Sequence, residues 1–325
     1  MTPSLPPPPP PPLLSECNFD DCLIASSPYR YRPNSLASGI FGTIFCLALI
    51  GCLIIAVTTS RGRWLNFTVP VCLACVLEII GYGARLGSWD DPWDVRLFAV
   101  STGSLTVAPA FVSAGIYTTI SQAVPVIGTE HSLISPVNYS KLLFADLLGF
   151  ALQVIGLIVA FSDASMSTGL GSLAATGSGL IAAGLAAQLL SLSAFMVLFA
   201  AVLARASLAA RDFGLTTFHA HRIGGRSRRG RGGGGRGRRP GYVPLGSRFI
   251  TFVAIVAVAL VCLLARNLYA VMAMSDGLGG PVAANEALFI GFDGLMVAQA
   301  VIGVIAVHPG RFLDERMPKP SGGMG

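Results

Sequence analysis

Apolar residues come in seven long runs, at roughly 36–58, 66–86, 97–120, 142–162, 177–203, 249–269 and 285–307. Each is close to or above the ~20 residues that an α-helix needs to cross the hydrocarbon core of a bilayer. Polar or turn-rich pieces separate them: Ser60-Arg61-Gly62-Arg63, Ser88-Trp89-Asp90-Asp91-Pro92, 129–138, 163–168, a long stretch at 205–247, and 275–281. The pattern predicts an all-α, polytopic integral membrane protein of seven transmembrane helices. Residues 1–34 form a tail in front of one helical unit, 35–313, and 314–325 form a second tail.

The second run carries charge. Glu78, Gly81, Tyr82 and Arg85 fall at i, i+3, i+4 and i+7, one stripe of a helix turning 100° per residue. A charged side chain near the bilayer centre costs about 2.5 kcal/mol or more, so the stripe is expected to face protein while Leu77, Ile79 and Ile80 lean towards lipid or neighbouring helices. Two readings are open for it: a polar seam that fastens helices, or part of a substrate or ion path. The same seven-residue spacing recurs in Asp146 and Gln153 of the fourth run, with Gly149 between them, and in Glu286 and Asp293 of the seventh. Arg266 lies near the end of the sixth. In the fifth, Gly179, Ala183 and Ala187 repeat every four residues, a spacing that lets helix backbones approach closely. Gly177, Gly184 and Gln188 form a second stripe with a polar tip. Pro109 in the third run should kink the helix and free a backbone carbonyl.

Composition changes the picture mainly through where charge sits. The chain is 53% hydrophobic and 12% charged, with mean hydropathy +0.68, against about 25% charged residues in soluble domains. With the N-terminus outside, Arg61, Arg63, Lys141, eleven arginines from Arg205 to Arg248, Arg311, Arg316 and Lys319 are cytoplasmic, which is seventeen of the twenty-two basic residues. The positive-inside bias therefore favours N-out, C-in. Glu78, Arg85, Arg266, Glu286 and Asp293 then fall at similar depth in the outer half of the bilayer, and Asp146 lies towards the inner side. A shared, partly hydrated cavity is expected there, with buried ion pairs that only fix helix register as the alternative. Tyr82, Gln153 and Gln188 complete the candidate substrate-binding or proton-coupling set. Trp64, Trp89 and Trp93 are expected near the membrane interfaces.

Several classes of chemistry are excluded or disfavoured. Lys141 and Lys319 are the only lysines and no G-x-x-x-x-G-K-[ST] occurs, so the chain carries no P-loop of its own. H-E-x-x-H and G-x-S-x-G are absent, and His131, His219, His221 and His308 are dispersed. Cys72 and Cys75 make a C-x-x-C inside a span with no second pair, which argues against zinc. No enzyme activity, metal or other cofactor is expected. Cys17 and Cys22 pair if the tail faces an oxidising compartment and are otherwise free thiols. Pro6 to Pro12 favour a polyproline II leader, with no secretory signal pattern. The Arg/Gly-rich loop 205–247 cannot bury apolar surface and is expected to be disordered. It reads as a topology determinant, or as a patch attracted to anionic inner-leaflet lipid at about 1 kcal/mol per basic residue. Nucleic acid is not expected as a partner, and the oligomeric state is open.

The ordered set of motifs resembles a known family, the fungal lipid-translocating exporters related to aminocholesterol-resistance (RTA-like) and sphingoid long-chain base proteins. The resemblance runs from about Tyr29 to Leu313. It rests on Tyr29-x-Tyr31-x-Pro33 and on Glu78-x-x-Gly81-Tyr82-x-x-Arg85. Ala108-Pro109 with Ala114-x-Ile116-Tyr117, Asp146 with Gln153 and Gly156, and Gly184-Leu185-x-x-Gln188 continue it. Glu286, Asp293 and the closing His308-Pro309-Gly310 complete it. The family usually ends its sixth span with R-x-x-[FY]-R-x-x-E. Arg266 and Tyr269 match that pattern here, whereas Ala270 and Ala273 replace the later basic and acidic residues, and Ile290 stands where an aromatic is usual. The Arg/Gly loop is also atypical. The resemblance implies a plasma-membrane protein, or an endomembrane one, that exports lipid-like amphiphiles or maintains lipid asymmetry and resistance to toxic amphiphiles. A seven-helix receptor or sensor is the alternative class, as is an accessory membrane protein that modulates asymmetry without transport. Against the receptor, the third run ends Ile116-Tyr117-Thr118 without an acidic-Arg pair, and the seventh lacks N-P-x-x-Y.

The charge asymmetry makes a direct prediction. A tag placed after Ser4 is cleaved by protease added to intact cells, and one placed after Gly325 is protected. Reversed accessibility would overturn the N-out orientation.

Overall fold

The computed structural model of the chain describes residues 17–60, 64–127, 136–162, 172–213 and 247–309. The Pro-rich leader, the Arg/Gly run and the terminal tail lie outside these residues. Seven helices are long and apolar enough to span a membrane. They are α1 (Ser35–Ile55, continued by a π-helical turn, Ala56–Ser60), α2 (Leu65–Gly87), α3 (Val95–Ile127), α4 (Pro136–Phe161), α5 (Ser172–Phe213), α6 (Ser247–Ser275) and α7 (Glu286–Ala306). No strand occurs among the described residues. The seven-span, all-α expectation therefore holds. Helices α3 and α5 continue past their apolar runs, to Ile127 and Phe213.

The helices follow chain order around the bundle. Helix α2 lies along α3 and α4 along α5 in the two most extensive pairings, and α7 returns to α1. Aromatic and branched side chains fill the centre, among them Phe45, Val71, Ile116, Leu192, Leu260 and Val301. Leu47, Ile54, Phe144, Leu190 and Val258 face outward, as a lipid-facing surface requires. Such a surface supplies little drive for helix association, since lipid tails are as apolar as leucine. Close packing and buried polar contacts supply it instead.

The α4–α5 seam shows how. A Cβ on Gly149 would sit 2.8 Å from the Gly184 carbonyl oxygen, and one on Gly184 would sit 2.5 Å from that of Gly149. Farther along, a Cβ on Gly156 would lie 2.8 Å from the Gly177 oxygen, and one on Gly177 would lie 2.5 Å from the Ala160 nitrogen. The two backbones touch along about three turns in one antiparallel register. The glycines also make room for two glutamines, since Gln188 packs on Gly149 and Gln153 on Gly184. The stripe that makes this approach is Gly177–Gly184–Gln188. The Gly179–Ala183–Ala187 repeat does not: Gly179 and Ala183 are exposed, and a Cβ on Gly179 would meet nothing within 4 Å. A period-four motif marks a possible face, but here a polar side chain that must be buried selects the other one.

Residues 17–34 fold across the end of the bundle where α1 begins, here termed the tail end. Cys17 and Cys22 form a disulfide. The guanidinium of Arg32 lies 4.1 Å from the Trp89 ring centroid and 4.8 Å from that of Phe19, and its Nε donates to the Trp89 carbonyl oxygen. Trp93 Nε1 donates to Ser26 Oγ at 3.2 Å. Trp93 is consequently buried, Trp64 is buried at the opposite end of α2, and of the three tryptophans only Trp89 is exposed in the manner of an interfacial anchor.

The seam's register is testable. Gly184→Ala and Gly177→Ala each lower the unfolding free energy by about 1–3 kcal/mol, the usual cost of overpacking, while Gly179→Ala leaves it unchanged. Thermal unfolding of the detergent-solubilised protein, followed by tryptophan fluorescence, reads the difference. Equal losses at all three positions would contradict the register.

Candidate functional site

The charged stripe of α2 faces inward, as its spacing required: Glu78, Gly81, Tyr82 and Arg85 are all buried. Arg85, one turn from the tail end, lies under the N-terminal segment. Its Nη2 donates to the Tyr31 hydroxyl and lies 3.6 Å from Glu286 Oε1. The guanidinium stacks 3.9 Å from the Phe289 ring centroid, with the rings of Tyr29 and Tyr31 at 5.2 and 5.5 Å. Burial pushes the Tyr31 phenol above its ordinary value, although the Arg85 charge pulls the other way. Glu286 opens α7 and also accepts from the Asn34 backbone N–H at 2.6 Å. Asn34 itself caps α1 through Ala37, and Asn285 caps α7 through Ala287 and Leu288. Two capping asparagines thus fix the entrances of α1 and α7 around one carboxylate.

The second ion pair lies two turns deeper. Arg266 Nε donates to Asp293 Oδ1 at 2.7 Å, with both side chains almost fully buried. Arg266 Nη2 donates to the Leu105 carbonyl oxygen, also at 2.7 Å. That carbonyl is the one Pro109 cannot reach, because proline has no N–H to return to the residue four positions earlier. The freed acceptor expected from Pro109 therefore exists, and an arginine from α6 takes it. Asp293 sits in a π-helical turn of α7, Phe289–Leu295, the kind of irregular turn that re-aims side chains at functional positions. Gly294 follows it, where a Cβ would come within 2.7 Å of Phe41 and 2.9 Å of the Tyr82 hydroxyl. Tyr82 stacks on Phe41 and Phe45, at centroid distances of 5.3 and 5.9 Å.

Glu78 is 1% exposed and lies within the fields of Asp293 and Arg266. Neither of its carboxyl oxygens has a hydrogen-bond partner among the described residues, and neither does Asp293 Oδ2. Three carboxylates thus share two guanidiniums, and Glu78 is the one left over. A cavity of about 70 Å³ joins the two ion pairs. Arg85, Arg266 and Asp293 line it, with Tyr29, Tyr31, Tyr269 and Phe289 around them, and Ala270 and Ala273 among its walls. It has room for a few waters or a small head group.

The expectation of one charged layer needs correcting. Glu286 and Asp293 are seven residues apart on one helix, so Glu286–Arg85 forms an upper tier and Asp293–Arg266–Glu78 a lower one. Asp146, Gln153 and Gln188 belong to neither, since the α4–α5 seam holds them. Leu105, Asn34 and Phe289 did not stand out in the sequence as site residues. Pro109 pointed to the first, and the position of Asn34 just ahead of the first apolar run could have pointed to the second.

The fold and site define a class: a seven-span membrane protein with a charged, aromatic-lined cavity at one end. The family described as "RTA1 like protein" matches residues 71–316. The chain belongs to that family. A relative named sphingoid long-chain base transporter RSB1 from Saccharomyces cerevisiae strain S288c is 26% identical over 277 residues, which is 77% of this chain and 65% of the relative. Its counterpart in strain Lalvin EC1118 is 31% identical over 144 residues, or 43% of this chain and 35% of that one. Protoporphyrin uptake protein 1 of the same yeast is 28% identical over 131 residues, 40% of this chain and 41% of the relative. The chain thus matches between about a third and two thirds of these relatives' lengths. No solved structure matches it.

The link between Pro109 and Arg266 is measurable by a double-mutant cycle. Pro109→Ala restores an amide for the Leu105 carbonyl, so Arg266→Gln costs less in that background than in the wild type. Non-additivity of about 0.5–3 kcal/mol in detergent unfolding is expected for such shared partners. Additivity would show that Leu105 does not connect them.

Proposed function

We propose that this chain is a non-enzymatic translocator of lipid-like amphiphiles, sphingoid long-chain bases first among them. It would act in the plasma membrane with the tail-end cavity facing outward, and would contribute to lipid asymmetry and to resistance against toxic amphiphiles. The observation that carries the reading is the surplus carboxylate: among the described residues Glu78 is buried without an ion-pair partner, behind Asp293 and Arg266, which line the cavity. An ammonium head group supplies the missing positive charge. Asp293 Oδ2 is a free acceptor for it, and the rings of Tyr31, Tyr269 and Phe289 give it favourable faces. Glu78 binds the head directly or carries a proton in the opposite direction.

The upper tier serves as a gate in this scheme. Arg85, Glu286 and Tyr31 join α2, α7 and the N-terminal segment across the cavity mouth, and parting them opens the cavity to the outside. The hydrocarbon chain stays on apolar helix faces, so the lipid crosses without exposing it to water. The relatives named sphingoid long-chain base transporter support the same substrate class. The Arg/Gly loop contributes attraction to anionic lipid on the inner side.

The test is flux of a fluorescent long-chain base in liposomes holding the purified protein. Glu78→Gln keeps the fold, because the amide can still hydrogen-bond, and lowers flux by about tenfold, the effect of ~1.4 kcal/mol. An N-acylated analogue without the positive charge is not moved. Arg85→Ala instead lowers the amount of folded protein, because it leaves buried carboxylates uncompensated. Full flux by both Glu78→Gln and Asp293→Asn, at normal abundance, would leave the cluster a structural seam and overturn the proposal.

A further inference from the structure

A second carboxylate is buried away from the tail-end cavity. Asp146 lies on α4, closer to the opposite end of the bundle, and is 7% exposed. The helices packed on α4 are α3 and α5. Helix α3 brings Tyr117 and α5 brings Ser191 within electrostatic range of the carboxylate, and the buried Tyr117 hydroxyl makes no hydrogen bond among the described residues. On α5, Gln188 lies one turn from Ser191 on the same face and packs against Gly149, one turn from Asp146. Its amide nitrogen has no partner among the described residues, and neither does Asp146 Oδ1. Lys141 precedes Asp146 by five residues, which places it about 140° away around the helix. Asp146 is thus surrounded by neutral oxygen and amide groups, with no cation among the described residues set against it.

This arrangement differs from the tail-end site in one respect that matters. There, arginines compensate most of the buried negative charge. Here two hydroxyls lie near a carboxylate and no described side chain supplies a fixed positive charge, which is costly in a membrane interior. The contact of Gly149 with Gly184 brings the α4 and α5 backbones together one turn from Asp146. A small exchangeable ion meets the requirement: it fits where a lysine would not, and it finds hard oxygen ligands. Carboxylate, hydroxyl and amide oxygens are the ligand types that oxygen-seeking cations take.

We propose that Asp146, Tyr117, Ser191 and Gln188 form a binding site for a monovalent cation, a proton or a sodium ion, between α3, α4 and α5. The cation binds Asp146, with the hydroxyls of Tyr117 and Ser191 as secondary ligands or hydrogen-bond partners, and Gln188 closes the site towards Gly149. The site stands independently of the lipid reading, because occupancy is measured without any lipid substrate.

The experiment uses the full chain in lipid nanodiscs. Its thermal unfolding is titrated with sodium chloride, replaced by choline chloride at constant ionic strength, and separately with pH in choline chloride alone. A cation that binds the folded chain raises the midpoint as its concentration rises. Asp146→Asn removes the dependence that the wild type shows, while circular dichroism reports an intact helical fold. Dependence on sodium identifies sodium, and dependence on pH in choline alone identifies the proton. If Asp146→Asn does not fold, Tyr117→Phe combined with Ser191→Ala is read instead. It keeps the carboxylate, and it raises the half-saturating cation concentration by about tenfold, as expected for the loss of hydrogen bonds worth ~1.4 kcal/mol. A wild-type midpoint indifferent to both cations overturns the site, as does an Asp146→Asn protein with the same dependence as wild type, or a double variant with an unchanged half-saturating concentration.

Discussion

The centre of this molecule depends on the guanidinium of Arg266. It comes from α6, pairs with Asp293 of α7 and donates to the Leu105 carbonyl of α3, so one side chain fastens three helices. A membrane interior offers no water to polar groups, so each must find its partner inside the protein. Pro109 leaves a carbonyl without its helical N–H, and the π-helical turn of α7 turns a carboxylate towards the same point. Arginine suits the position because its rigid fork reaches two acceptors at once, which a lysine ammonium on a flexible stem does less well. Once that cation is spent on Asp293 and Leu105, Glu78 is left with neither an ion pair nor a hydrogen bond among the described residues.

The upper tier obeys different physics. Arg85 is held as much by aromatic faces as by charge, with Phe289 against its guanidinium and the two tyrosines of the N-terminal segment close by. Its carboxylate partner, Glu286, retains partial exposure at 26%. A pair of this kind, nearer water and shared with a covering segment, separates at lower cost than the buried pair beneath it. A rigid lower tier and a more yielding upper one suit a cavity that opens on one side. The small side chains of Ala270 and Ala273 help to keep space between the tiers.

The α4–α5 seam forms a third zone, built from glycine rather than charge. Backbone contact at Gly149, Gly156, Gly177 and Gly184 brings the helices as close as their main chains allow, and the space where side chains would stand accommodates Gln153 and Gln188. Close approach and polar side chains at one interface are complementary ways of joining helices in lipid. The seam ends at Asp146, where the polar groups no longer balance.

Periodicity and local chemistry were legible along the chain. Seven apolar runs specified seven spans, since a helix of that length and composition has no better place than a bilayer. The spacing of Glu78, Gly81, Tyr82 and Arg85 specified an inward face, and Pro109 specified a free carbonyl. Each follows from residues within a few turns of one another. Tertiary structure decided the partners. That Arg266 takes both Asp293 and the Leu105 carbonyl, that Arg85 meets Glu286, and that Glu78 meets neither arginine depend on how far each helix slides and rotates against its neighbours. The same holds for the fifth span, where two small-residue stripes were present and the burial of Gln188 against Gly149 chose between them. Helix period is a property of the chain's own backbone, whereas relative depth and rotation are set by packing between segments as much as 252 residues apart, as Asn34 and Glu286 are.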